Sequence, residues 1–315
     1  MAFSGIDAVV FGVADMAEAK RFLDDWGTVP VTVEADRLVY ETKDGGQVIV
    51  RPKDAPDLPP PIEPGNTVRE VIWGVADEDA LRDSLARLAP DGPRAGLDGL
   101  MRATDPNGLS LAFRVTRRRK VAVKPTPANG PGVAQRIDRR SPVHDHAEPV
   151  KIGHIVLFAS DFAAMRAFYT ERMGLIVSDE YPGHGTFMRC QIRGEHHNLF
   201  ILNRPGKPGV NHVAFTVSDI HEVIGGGLAM SRKGWKTEIG PGRHPISSAY
   251  FWYFENPLGA PIEYYADDDF CTEAWKPGVF ERKPELFAEW AIAGGIDGKT
   301  RRQVATVDSS GRGHA

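Results

Sequence analysis

The chain has 315 residues, enough for two ordinary domains or one large one, and its 42% apolar content is ample for a core. A formal charge of −4 gives no electrostatic reason to expect nucleic acid or a membrane surface as partner. The two cysteines, Cys190 and Cys271, have no CxxC spacing, which argues against a disulfide scaffold and reads as ordinary thiols in a reducing cytoplasm.

The N-terminus lacks the basic start and long apolar stretch of a signal peptide, and no run approaches the roughly 18 apolar residues of a membrane span. IDAVVFGVADMAEAKRFLDDWG, from Ile6, reads as a strand, a helix-start aspartate (Asp15), an amphipathic helix and a glycine after the helix end. REVIWGVADEDALRDSLARL, from Arg69, is a second strand–helix pattern. DPNGLSLAFRV, from Asp105, is a Pro- and Gly-containing turn leading into a strand. The basic run Arg117–Lys120 then reads as a solvated hinge, opening a stretch rich in Pro, Gly and charge that contains His144 and His146.

After that stretch the pattern starts again. IGHIVLFASDFAAMRAFYTERMG, from Ile152, repeats the first segment, with Asp161 as its cap. NHVAFTVSDIHEVIGGGLAMSRKG, from Asn211, repeats the second, with Asp219 as cap and His221 as a helix-start side chain. NPLGAPIEYYA, from Asn256, repeats the third. Four units result, near 5–52, 68–116, 151–203 and 210–266, grouped as two pairs. The domain division is 1–118, a linker 119–149, 150–275, and a tail 276–315. The tail has a helix-like stretch at Glu285–Ala293 and frayed last residues.

Three residues stand out inside apolar runs that read as buried strands: His154 in KIGHIVLFA, His212 in GVNHVAFTV and Glu263 in GAPIEYYA. Such side chains are costly there unless paired or bound. Two neutral imidazoles and one carboxylate form the set that holds a divalent metal while leaving positions open for substrate and O₂. Iron(II) is the expected metal and manganese(II) the alternative, since ligand type does not separate them. Aligning the repeats sets His154 against Ala8, His212 against Val71 and Glu263 against Ala112, and all ten histidines lie from His144 onward. The first pair is therefore expected to have the fold without the chemistry.

Over roughly 5–270, and most strongly over 150–266, the chain resembles the vicinal oxygen chelate superfamily, and within it the type I extradiol ring-cleavage dioxygenases of the catechol 2,3-dioxygenase and dihydroxybiphenyl dioxygenase kind. The segment GRHPISSAYFWYFENPLGAPIE, Gly242 to Glu263, carries the family's spacing from a histidine (His244) to a tyrosine (Tyr253) to the glutamate ligand. Trp252 departs from the smaller aliphatic residue or Phe usual before that tyrosine. The resemblance implies an α+β fold of four βαβββ units, arranged as two paired-unit open barrels with a metal-free N-terminal one. It implies Fe(II)-dependent ring cleavage of a catecholic diol by O₂, in the cytoplasm, by a homo-oligomer with no organic cofactor.

The resemblance also implies roles. In GEHHNLFIL the family's acid/base histidine matches His197 better than His196, which otherwise reads as a polar strand end facing water. His244 would hydrogen-bond the substrate, and the Tyr253 hydroxyl would contact a substrate oxygen. His184, in YPGHGTF, reads as a surface or pocket-rim residue, and Phe187, Trp252 and Tyr250 are candidates for the pocket wall. The tail would cover the pocket mouth or touch a second subunit. Alternatives are another metal enzyme of the superfamily, such as a glyoxalase, epimerase or hydrolase, or a non-catalytic small-molecule binding module.

Overall fold

The computed structural model describes residues 3–88, 94–96 and 98–296, and there the apolar runs become strands. The first unit is β1 (Phe3–Val13), α1 (Met16–Trp26), β2 (Val29–Val33), β3 (Leu38–Glu41) and β4 (Gln47–Pro52). The second is β5 (Thr67–Val75), α2 (Glu78–Leu88), β6 (Arg94–Ala95), β7 (Met101–Thr104) and β8 (Ser110–Val115). A small hairpin follows, β9 (Asn129–Gly130) with β10 (Val133–Ala134). The third unit is β11 (Lys151–Ala159), α3 (Phe162–Ala167) ending in a π-helical turn (Phe168–Arg172), β12 (Ile176–Tyr181), β13 (Gly185–Arg189), the short β14 (Gly194–Glu195) and β15 (Leu199–Asn203). The fourth is β16 (Gly209–Thr216), α4 (Ile220–Arg232), β17 (Thr237–Arg243), β18 (Tyr250–Phe254) and β19 (Ile262–Ala266). Beyond it lie β20 (Phe270–Cys271), β21 (Gly278–Val279), a 3₁₀ turn (Pro284–Leu286) and β22 (Trp290–Ala293).

The expected caps form. Asp15 accepts from the backbone N–H groups of Ala17 and Glu18, Asp161 from that of Ala164, and Asp219 from those of His221 and Glu222. Within each half two units pair through their first strands, which run antiparallel, β1 against β5 and β11 against β16. Each first strand also lies parallel to the last strand of its own unit, a pairing that needs the helical crossover between them. The N-terminal sheet has order β2-β3-β4-β1-β5-β8-β7-β6. The C-terminal sheet repeats that order and adds a strand at each edge, β21 against β12 and β22 against β17.

Those two added strands correct the reading of the tail. The stretch 285–293 is not a helix; only Pro284–Leu286 forms a 3₁₀ turn, and Trp290–Ala293 pairs with β17. An open sheet edge offers unpaired backbone groups, and this satisfies them better than an isolated short helix would. The frayed end expected beyond residue 296 falls outside the described residues. In the basic run Arg117, Arg119 and Lys120 are exposed as expected, but Arg118 is not solvated. Arg118 reaches back to the fully buried Asp7 carboxylate at 2.9 Å, where Arg114 also binds at 2.9 Å and the Thr116 hydroxyl donates at 2.7 Å.

One continuous apolar core joins the halves. The Trp26 ring stacks on Tyr264 at 3.6 Å, and the Tyr264 hydroxyl donates to the Trp26 carbonyl at 2.6 Å. Nearby, Phe22 meets Trp235 edge-on. On another part of this junction the buried Asp105 of the DPNG turn accepts from the Tyr169 hydroxyl at 2.9 Å.

Burial raises the Asp105 carboxyl from its ordinary 3.8 to about 6, against the hydrogen bonds from Leu109, Tyr169 and Asn107 that lower it. The native state therefore holds a proton that the unfolded chain releases, and stability falls as pH rises from about 4 through about 6. Asp105→Asn is expected to remove that component, worth about 3 kcal/mol between these limits. Denaturant unfolding of both proteins at pH 4 and pH 7 checks this, and parallel pH dependences would contradict it.

Candidate metal centre

Strand register gathers the three predicted donors. His154 on β11 pairs with Ala214 on β16, and Ala214 pairs with Glu263 on β19, so all three lie in one row across the sheet. His212 sits two residues before Ala214 and points to the same face. The small Ala214 methyl leaves the space between the larger side chains open. His154 Nε2 lies 3.2 Å from His212 Nε2 and 3.2 Å from Glu263 Oε2, and His212 Nε2 lies 3.3 Å from that same oxygen. All three residues are buried.

This triangle fits a metal ion. Bonds of about 2.1 Å at right angles, as on one face of an octahedron, place donor atoms about 3 Å apart. The buried Glu263 Oε2 has no hydrogen-bond partner, an arrangement expensive to maintain unless a cation completes it. Burial alone would raise the Glu263 carboxyl, but the imidazoles of His154, His212 and His244 beside it hold it well below the usual carboxylate range. Burial pushes His154 down, against the opposing pull of Glu263, and so favours the neutral imidazole a metal requires. Asn211 Oδ1, 2.6 Å from His212 Nδ1, accepts the other ring proton and leaves Nε2 as the donor atom. The sequence reasoning missed Asn211; a polar residue immediately before a buried strand histidine was the available signal.

The centre lines a cavity of about 630 Å³. His197, His244 and Tyr253 all reach it. The His197 ring lies 4.1 Å from that of His154. Tyr253 is the cross-strand partner of Glu263, which explains its register in the sequence motif. His244 Nε2 is 3.2 Å from the Tyr253 hydroxyl and 3.8 Å from Glu263 Oε1, while its Nδ1 donates to the Phe287 carbonyl at 2.5 Å. Burial and the Glu263 carboxylate raise the Tyr253 hydroxyl well above its usual range, so it stays a protonated donor. Burial, with His154 and His196 adjoining, lowers His197 well below its usual value and keeps it neutral.

The walls are mainly apolar. Phe187 stacks on Phe200 at 3.7 Å, and Ile246, Leu286 and Phe287 complete one side. Phe187 thus lines the cavity as expected, and His184 stands at it too. Trp252 and Tyr250 do not. Trp252 alternates with Tyr253 along β18 and points the opposite way, beneath α4, where its indole donates to Thr237 at 2.9 Å. Only a glycine at 227 permits this, since a Cβ there would lie 2.0 Å from the indole ring. Tyr250 lies against Trp290 and Arg243.

His196 is not a solvated strand end. It is fully buried, with Nε2 2.8 Å from Asp179 Oδ2 and Nδ1 3.1 Å from His197 Nδ1. The linker histidines are occupied elsewhere, His144 with Thr126 and His146 with Asp145.

The N-terminal sheet corrects one equivalence. Ala8 pairs with Ile72 and Ile72 with Ala112, so Ala8 and Ala112 occupy the places of His154 and Glu263. The counterpart of His212 is Glu70, two residues before Ile72, rather than Val71. The one-residue error matters because it turns the side chain to the opposite face. Glu70 is buried, but it is neutralised by a two-point ion pair with Arg102 at 2.6 and 3.0 Å and accepts from Ser110 at 2.7 Å. Ala8, Val10, Ile72 and Ala112 form a small apolar cluster beside it.

Residues 151–264 match the family model of the Glyoxalase/Bleomycin resistance protein/Dioxygenase superfamily. Metapyrocatechase 2 of Cupriavidus necator is 29% identical over 301 residues, covering 92% of this chain and 89% of that protein. A metapyrocatechase of Pseudomonas sp. (strain CF600) is 23% identical over 133 residues, 41% of this chain and 43% of that one. Among solved structures, the Mn(II)-bound glyoxalase from Novosphingobium aromaticivorans superposes with a TM-score of 0.74 at 24% identity, covering 93% of each chain. A halotolerant catechol dioxygenase, BphC, gives 0.69 at 20% identity, covering 91% of this chain and 93% of that one. These likenesses show the fold. Among the described residues no helix is long and apolar enough to cross a membrane. The half that brings two histidines and a glutamate together is a domain of the glyoxalase and dioxygenase superfamily, in a chain whose sequence relatives include proteins named metapyrocatechase and 3-methylcatechol 2,3-dioxygenase.

Proposed function

We propose that the protein is an extradiol ring-cleavage dioxygenase of a catecholic aromatic diol, with a mononuclear non-haem Fe(II) held by His154, His212 and Glu263. The observation that carries this is the buried donor triangle in the wall of a cavity lined also by aromatic rings and by His197, His244 and Tyr253. Held by these three donors, Fe(II) would supply the redox chemistry that couples the diol to O₂, and Mn(II) would suit the same donors.

The chain's own residues supply the rest. The apolar wall made by the stacked Phe187 and Phe200 suits an aromatic ring. Neutral His197 accepts a proton from the diol hydroxyl and returns one later in the turnover. Tyr253 donates a hydrogen bond to a substrate oxygen, and His244, anchored on the Phe287 carbonyl, orients that hydroxyl. The apolar side chains of Leu286 and Phe287 in the cavity lining limit water there. In this arrangement residues 1–118 are a metal-free scaffold joined through 119–149 to a catalytic 150–275 segment.

The test is anaerobic purification with metal analysis, then oxygen uptake and absorbance scans over a panel of catechols. About one iron per chain, O₂ consumption and a yellow ring-opened product are the expected outcome. Metal binding without O₂ uptake on any diol would favour the glyoxalase-like reading, for which the Mn(II)-bound neighbour gives a structural precedent.

A further inference from the structure

Behind His197 a line of hydrogen bonds runs away from the cavity to the edge of the sheet. The Gly278 backbone N–H, on β21, donates to Asp179 Oδ1 at 2.6 Å. The other carboxylate oxygen, Oδ2, is 2.8 Å from His196 Nε2, and His196 Nδ1 is 3.1 Å from His197 Nδ1. Asp179, His196 and His197 are all buried. Phe187 packs edge-on against both imidazoles, and Trp275 packs edge-on against His196, so neither ring is free to turn.

The chemistry of the partners sets the direction of every proton. A carboxylate only accepts, so His196 Nε2 carries a hydrogen and donates to Asp179. With that single ring proton on His196, its Nδ1 is a bare lone pair, and the Nδ1 facing it on His197 must be the donor. That leaves Nε2 of His197 as the unprotonated nitrogen. We propose that Asp179 and His196 are positioning residues that lock His197 in its Nδ1–H tautomer and so present Nε2 as a proton acceptor. Its catalytic consequence rests on His197 being the acid/base group, whereas the tautomer itself does not.

Asp179→Asn isolates the effect. Gly278 N–H still requires an oxygen facing it, so the new amide turns its NH₂ toward His196. His196 must then accept at Nε2 and donate at Nδ1, which moves the His197 proton onto Nε2. A carboxylate-to-amide change of this kind at a catalytic histidine misplaces the proton with little change in shape.

The measurement is ¹⁵N NMR of histidine side chains in the full-length chain loaded with diamagnetic zinc, assigned with His196→Gln and His197→Phe. It is paired with turnover and anaerobic substrate binding of the iron-loaded protein. The expected result is Nδ1–H on His197 in wild type, Nε2–H in Asp179→Asn, and turnover down on the order of 100-fold with metal content and substrate affinity retained. Nε2–H on His197 in wild type, or a tautomer unmoved by Asp179→Asn, would overturn the relay. The tautomer shift without turnover of any diol by wild type would uphold the relay and overturn the dioxygenase reading instead.

Discussion

Glu263→Ala and His154→Ala are each expected to yield a folded protein that retains no stoichiometric metal and cleaves no diol. Both side chains belong to a donor triangle with edges of 3.2 to 3.3 Å, and removing one donor leaves two where a facial site needs three. Affinity should fall by more than the roughly 10–100-fold typical for losing a supporting residue, because a direct donor is gone. The fold should survive. The main apolar core lies on the other face of the sheet, where Ile155, Val213, Ile262 and Tyr264 alternate with the donors, and Glu263→Ala removes a buried carboxylate whose Oε2 lacks a hydrogen-bond partner.

A thermal readout separates these effects from activity. Added metal at about 1,000 times its Kd stabilises a binding protein by about 4 kcal/mol, so the wild-type Tm should rise with metal while those of the variants stay flat. Full activity or an undiminished metal-dependent Tm shift in either variant would sink the assignment.

The legible parts of the sequence were those where one side chain conflicts with its surroundings or one pattern recurs. His154, His212 and Glu263 each interrupt an apolar strand, and a polar group there needs a physical reason. The unit repeat, with its aspartate caps, carried the element order. Less legible were features set by tertiary register. The place of Glu70 depends on which residue faces Ile72's neighbours across the sheet, and a one-residue slip hides it.

The tail was misread because Glu285–Ala293 contains helix-forming residues, whereas β17 offers an open edge that pairs with Trp290–Ala293. Local propensity lost to a tertiary partner that sequence spacing does not reveal. Arg118 was misread for the same reason: its partner, Asp7, is 111 positions away. Trp252 looked like a pocket residue because it stands beside Tyr253, and strand alternation sends it to the other face.

His197→Phe is expected to keep metal at wild-type stoichiometry and to slow turnover by about 10² to 10⁴-fold, the range general acid–base catalysis contributes. The ring adjoins His154 at 4.1 Å but is no part of the donor triangle, so the metal should stay. Phenylalanine nearly preserves the volume packed against Phe187, so the cavity wall should hold its shape. What disappears is the nitrogen that takes the diol proton, so kcat should fall far more than substrate affinity. His196 Nδ1 loses its partner in this variant, at a cost of about 1–3 kcal/mol in stability.

His197→Gln serves as the companion, since it keeps a polar partner for His196 but no basic nitrogen. Steady-state oxygen uptake and anaerobic diol titration of both variants read kcat and affinity separately. A near-normal kcat in both would remove His197 from proton transfer and pass that role to His244, which also stands within reach of the Tyr253 hydroxyl. Slow turnover in both with unchanged diol affinity would locate the proton-transfer step at the one cavity histidine that is buried, neutral and outside the donor triangle.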